Sequence, residues 1–322
     1  MLPNIPKSTK ILTLIAILSV ALAFYSVQRS KINSTFEQTG EKFPKTDSAS
    51  VSSISITNNQ RSKFELQLKN RIWYLNDAIA DQNRVGRLIG GLPKIKIVRE
   101  VFKEKQTKAI GRLKEKGFTI SIKGDQSDAE SLIIYPDSSN PFTAIALIGT
   151  QTVPMVIEMP GAEFPFTYYF SPNPLFFKDK TLFSRTLGDI SSITVIYTEQ
   201  PQDNFTISKM NNVFKVNEVP DADTLKLRSY IDLFNNVSIK EYLDAKFDFK
   251  KDSLLKMKPT FKVSVKYSNE DNSNEIWIYY NPKIKGDIFG IITKHNELVT
   301  IRPIVFEYIL QKKDFFKQKI IK

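Results

Sequence analysis

One histidine and no cysteine set the limits of side-chain chemistry in this 322-residue chain. Without cysteine there are no disulfides, thiolate nucleophiles, iron–sulfur ligands or thiolate-bearing zinc sites. His295 stands in Thr293-Lys-His-Asn-Glu between two strand patterns, the setting of a solvent-exposed hairpin turn. A serine triad would have to use this one imidazole, and no G-x-S-x-G elbow accompanies it. Gly86, Gly90 and Gly91 in RVGRLIGG fall in a helical pattern, without the strand-to-helix turn of a phosphate loop. Carboxylates are plentiful, but Glu158 and Glu163 are no better placed for acid–base work than many others. DQSD (125–128) and NEDNSNE (269–275) lack EF-hand spacing and read as hairpin loops. The sequence therefore assigns no catalytic residue, no cofactor and no metal ligand.

Two features point toward binding instead. Phe164, Phe166, Tyr168, Tyr169 and Phe170 crowd the segment GAEFPFTYYFSPNPLFF, as a partner interface, a sugar-stacking surface or a core element would require. The net charge is +12, from 46 Lys plus Arg against 34 Asp plus Glu, which favours anionic lipid, acidic glycan or another anionic partner. Most basic residues are dispersed, as solubilising charge is, and the densest cluster (Lys312, Lys313, Lys317, Lys319, Lys322) lies at the C-terminus. Nucleic acid is not expected, because the N-terminus carries an export signal.

That signal is the uncharged run Ile11 to Gln28, preceded by Lys7 and Lys10 and followed by Arg29 and Lys31. At about 1.5 Å per residue the run reaches roughly 27 Å as a helix, against a hydrocarbon core of roughly 30 Å. Phe24 and Tyr25 resemble an interfacial anchor, whereas Ala21 and Ala23 form the small-x-small pattern of a cleaved signal peptide. Residues 1–10 are read as a cytoplasmic head, 11–28 as a transmembrane anchor or signal peptide, and 29–49 as a flexible tether. Some 20 flexible residues would hold the body roughly 25 Å from the bilayer.

The body repeats itself. Val51-Ser-Ser-Ile-Ser-Ile matches Ile190-Ser-Ser-Ile-Thr-Val, and alternating strands from Phe64 and Phe205 lead on to Trp73 and Phe214. Helical stretches then open at Asp81 and at Asp221 or Asp223, residues suited to capping helix N-termini. IKIVREVF (95–102) and VSIKEYL (237–243) follow, then a less regular Lys-rich stretch, a four-strand meander, and helix-like closures at Pro174 to Phe183 and Pro303 to Phe316. The expected fold is α+β: two tandem homologous modules, 50–188 and 189–322, of mainly antiparallel sheet with packed helices, behind one N-terminal transmembrane helix.

The anchor, the V/I-x-x-I-x-I strand, Trp73-Tyr-Leu, the Asp-led helix and the repeated meander together resemble a bacterial envelope family, a domain of unknown function often encoded beside gliding-motility-type ABC exporter components. The entry to the meander departs from the family pattern, reading Lys116-Gly-Phe and Met257-Lys-Pro. The resemblance carries over no catalytic residue. It implies a single-pass inner-membrane protein with its body in the periplasm, acting as a non-enzymatic accessory whose partner is an ABC-type permease and ATPase complex or its auxiliary subunit. An envelope binding module for glycan or anionic lipid is the alternative, and a periplasmic hydrolase a third.

Overall fold

The computed structural model describes residues 48–59, 62–124, 129–184, 189–268, 273–280 and 288–318. The head, the apolar run 11–28 and nearly all of the tether lie outside them, as do DQSD and most of the acidic loop after Tyr267. No helix among the described residues is long and apolar enough to cross a membrane.

The chain is α+β with antiparallel sheets. The first sheet comprises β1 (Val51–Thr57), β2 (Lys63–Lys69), β3 (Ile72–Leu75), β4 (Ala78–Ile79), β5 (Lys96–Glu100), β6 (Phe118–Gly124), β7 (Glu130–Pro136), β8 (Thr143–Ile148) and β9 (Met155–Glu158). Their order is β4-β3-β2-β1-β6-β7-β8-β9-β5. A small sheet pairs β10 (Thr181–Ser184) with a later strand, numbered β14 (Asn236–Ser238). The remaining sheet holds β11 (Ile190–Tyr197), β12 (Phe205–Met210), β13 (Val213–Val216), β15 (Glu241–Tyr242), β16 (Phe261–Tyr267), β17 (Asn274–Tyr279), β18 (Ile288–Ile292) and β19 (Glu297–Ile301). It runs β13-β12-β11-β16-β17-β18-β19-β15. The helices are α1 (Gln82–Gly91), α2 (Lys103–Lys116), α3 (Phe166–Tyr169), α4 (Thr224–Asp232), α5 (Asp248–Leu255) and α6 (Pro303–Ile309). The described residues fall into two compact units: those up to Lys63 with Leu88–Phe170, and Phe64–Arg87 with the chain from Ser171 onward.

Period-two alternation drives the strands. In β6, Phe118, Ile120 and Ile122 are buried while Thr119 and Ser121 are half-exposed, so one face builds the core. Each such Ile or Phe contributes about 1.5–3 kcal/mol by leaving water. The two large sheets follow the same strand order from their β3 and β13 ends, and local details recur along it. Both first strands carry a bulge, at Val51/Ser53 and Ile190/Ser192, with Ser52 Oγ donating to Lys123 O (3.3 Å) and Ser191 Oγ to Lys266 O (3.0 Å). Positive-φ pairs, Asn70-Arg71 and Asn211-Asn212, turn β2 into β3 and β12 into β13. Asp81 Oδ1 accepts from the amides of Asn83 and Arg84, and Asp223 Oδ1 from those of Leu225 and Lys226. The Asp81 and Asp223 amides in turn donate to Phe177 O and Phe316 O, both at 2.8 Å.

Two segments differ from their sequence-based expectation. The closure Pro174 to Phe183 is a single 3-10 turn, Pro174–Phe176, followed by β10: Asn173 caps the turn at Leu175, and Thr181 to Ser184 find partners in β14. Conversely, the Lys-rich stretch after β5 is the 14-residue helix α2. Only Ala109 and Leu113 are buried in it, so it lacks the broad apolar stripe by which helices are recognised.

Candidate basic groove

The first unit holds a cavity of about 570 Å³ between α2, the adjacent edge strands and the β7–β8 turn. Ile145 and Val156, half-buried and paired across β8 and β9, form its floor beside buried Val101 and Ala109. Arg99, Lys105, Lys108 and Arg112 line it, with Asp137, Asn140 and Thr143 on the turn side.

Local structure explains the placement. Strand β5 is the sheet edge and is bulged between Ile97 and Arg99, a device that re-aims a side chain. The Arg99 guanidinium rests 4.4 Å from the Phe102 ring centroid and donates through Nη1 to Glu100 O at 3.1 Å. Gln106 Nε2 donates to Val101 O at 2.9 Å, tying the first turn of α2 to the strand that precedes it. Lys105, Lys108 and Arg112 lie three and four residues apart and so project from one helix face. Gly117 N donates to Leu113 O at 3.0 Å and ends the helix; a Cβ there would meet that carbonyl at 2.3 Å.

Across the groove, Asp137 Oδ1 accepts from Ser139 N (2.9 Å) and Ser139 Oγ (2.7 Å). These bonds, with the Arg112 charge adding to them, hold its carboxyl below the usual carboxylate range. Asn140 Oδ1 accepts from Phe142 N at 3.0 Å. Among the described residues no carboxylate approaches Arg99, Lys105, Lys108 or Arg112 within 4.0 Å. The C-terminal basic cluster is different: Lys312 pairs with Asp203 at 2.8 Å and Lys317 with Asp314 at 2.7 Å. Lys178 pairs with Glu297 and lies 4.3 Å from the Tyr242 ring centroid. Other described lysines, Lys256, Lys258 and Lys294 among them, also have no carboxylate within 4.0 Å among the described residues; what sets the groove apart is that four cations line one cavity, which local sequence density does not reveal.

The second sheet treats its corresponding face differently. Phe289 pairs with Tyr279 as Ile145 pairs with Tyr135, and Phe247 precedes α5 as Phe102 precedes α2. There Phe289, Phe247 and Trp277 pack on Leu254, Tyr279, Ile291 and Leu298, and Lys250 Nζ lies 4.9 Å from the Phe289 ring centroid. Counting from those two Phe residues, Asp244, Ser253 and Met257 take the places of Arg99, Lys108 and Arg112. Bulk fills what is open in the first sheet, and three of its four cations are gone. A cavity of about 470 Å³ beside α4 and β13 carries Arg228 and Asp232 together, so it has no comparable field.

The aromatic cluster singled out in the sequence is divided. Phe166 (1% exposed), Tyr169 (8%) and Phe170 (0%) lie in the interior, where Tyr169 Cδ1 would be 3.1 Å from any Cβ at Gly91. Phe164 is 40% exposed and stacks on Tyr168 at 4.3 Å between centroids, so these two alone of the five can face a partner. Gly86, Gly90 and Gly91 are helical in α1, and His295 is exposed in the turn before β19. Asp223, not Asp221, is the N-cap of α4. No group of three or more metal-ligating side chains occurs among the described residues. Compared with family models, curated proteins and solved structures, the chain matches none of them.

Proposed function

We propose that this chain is a membrane-anchored, extracytoplasmic binding protein of duplicated build, whose first copy receives an anionic ligand in the groove beside α2. The observation that carries the reading is the convergence, on one concave and apolar-floored cavity, of four cations with no carboxylate within 4.0 Å among the described residues. Arg and Lys presented this way attract carboxylate, phosphate or sulfate, and attraction weakens as salt screens it. The duplication is supported by the shared strand order, the matched bulges and the matched aspartate caps. The anchor rests on the apolar run 11–28.

Titration of the detergent-extracted full chain with inorganic polyphosphate and with an acidic polysaccharide tests this. Binding should weaken steeply with salt, and Lys108→Gln with Arg112→Gln should weaken it roughly tenfold, taking each lost charge contact as about 0.5–1 kcal/mol. Salt-insensitive binding, or none, defeats the reading. In the transport setting that the family resemblance implies, the groove would present its ligand beside a permease. Co-purification with an ATPase and a permease tests that role, and recovery of the chain alone after crosslinking counts against it.

A further inference from the structure

The groove is more particular than a basic patch. Resting on the reading that it binds an anion, we infer that its ligand is an acidic sugar, an oligosaccharide bearing uronate-type carboxylates, and not a bare polyanion or a phospholipid headgroup. Three features set the chemistry. Four cations supply the partners for the ligand's negative group. Asp137, an acceptor-only carboxylate, stands among them. It opposes any ligand that presents negative charge alone, and it suits one that brings hydroxyl donors beside its charge. Ser139 fixes Oδ1 through two bonds and the Asn140 amide also bonds the carboxyl, while no side chain other than Ser139 donates to it among the described residues. Asn140 and Thr143 add amide and hydroxyl groups at the same rim, where the Asn140 side-chain nitrogen has no partner among the described residues.

The floor completes the match. Ile145 and Val156, paired across β8 and β9 on one face of the sheet, give an apolar surface for the C–H face of a sugar ring. At about 570 Å³ the cavity falls in the range, roughly 300–1,000 Å³, that encloses a compact ligand. The filled counterpart in the second sheet, with Phe289 at the Ile145 register position, indicates that such ligands engage one copy.

Calorimetric titration of the full chain in detergent, with four probes, tests the inference: an oligogalacturonate, a neutral galactose oligomer, inorganic polyphosphate, and glycerol phosphate as the headgroup mimic. The oligogalacturonate should bind tightest. Asp137→Asn keeps the oxygen that Ser139 holds but removes the charge, so the fold is retained. It should weaken oligogalacturonate roughly tenfold, the loss of a charge-assisted hydrogen bond, while polyphosphate binds more tightly. Arg112→Gln should weaken both. If Asp137→Asn strengthens both ligands, or if polyphosphate or glycerol phosphate binds the unaltered chain as tightly as the oligogalacturonate, the sugar assignment is overturned and the anion groove stands. If no anion binds, or Arg112→Gln changes nothing, the groove reading itself falls.

Discussion

Tyr230 shows how single side chains hold the second unit together. Its ring packs among Phe205, Phe234 and Phe316 at centroid distances of 5.7, 5.4 and 5.2 Å, and its hydroxyl donates to Ile309 O at 2.6 Å. Tyr230→Phe keeps the packing but strands a buried carbonyl, so chemical denaturation should show a loss of about 1–3 kcal/mol. Burial raises its pKa well above the ordinary 10.0. An unfolded chain ionises its tyrosines at about 10. This side chain's contribution is therefore complete below that pH and falls as pH rises through it, and Tyr197 and Tyr242, also raised chiefly by burial, act in the same sense. Phenolate absorbance from these three should appear together with loss of tertiary circular dichroism; early ionisation in a still-folded protein would contradict the burial argument.

At the scale of elements, the strands and the capped helices were legible because their signals are local. Alternation in GFTISIKG and TFKVSVKY gave β6 and β16 to within a residue, and Asp81 marked the start of α1. Helix α2 was not legible, since nearly every side chain that distinguishes it is polar and its inner face is only Ala109 and Leu113. The groove was hidden with it: Arg99, Lys105, Lys108 and Arg112 look dispersed along the chain and converge only through the bulge of β5 and the helix face. The first closure resembles a helix start in its proline and apolar spacing, although it forms only a 3-10 turn before β10. The repeated Phe-Phe-Lys at 176–178 and 315–317, whose central carbonyls hold Asp81 and Asp223, marks both closures more sharply. Ile145→Phe tests the role of the groove as a shape. Copying Phe289 into the first sheet should abolish anion binding, by tenfold or more, with every cation retained. Unchanged affinity in equilibrium titration would mean that the cavity is not the site.

The whole molecule, on the proposed reading, is two copies of one strand plan that have diverged by filling one helix-covered face and leaving the other open. Such a duplication would relax the demand on each copy, so that one could retain packing while the other carried the proposed binding. The run 11–28 would then keep that binding near a membrane. Removing residues 1–28 should move the protein from the membrane fraction to the soluble one without altering its thermal unfolding; membrane retention of the truncated chain would refute the anchor. The central claim, however, is that the excess positive charge works at one place. The most direct measurement compares two triple variants with the same change in net charge, one in the groove (Lys105, Lys108 and Arg112 to Gln) and one on exposed lysines of the second unit (Lys256, Lys258 and Lys294 to Gln). Titrated with the same acidic polysaccharide at fixed salt, the groove variant should lose tenfold or more in affinity while the other stays within about twofold of the unaltered chain. Equal losses in both would show that binding follows net charge alone, and would contradict the account.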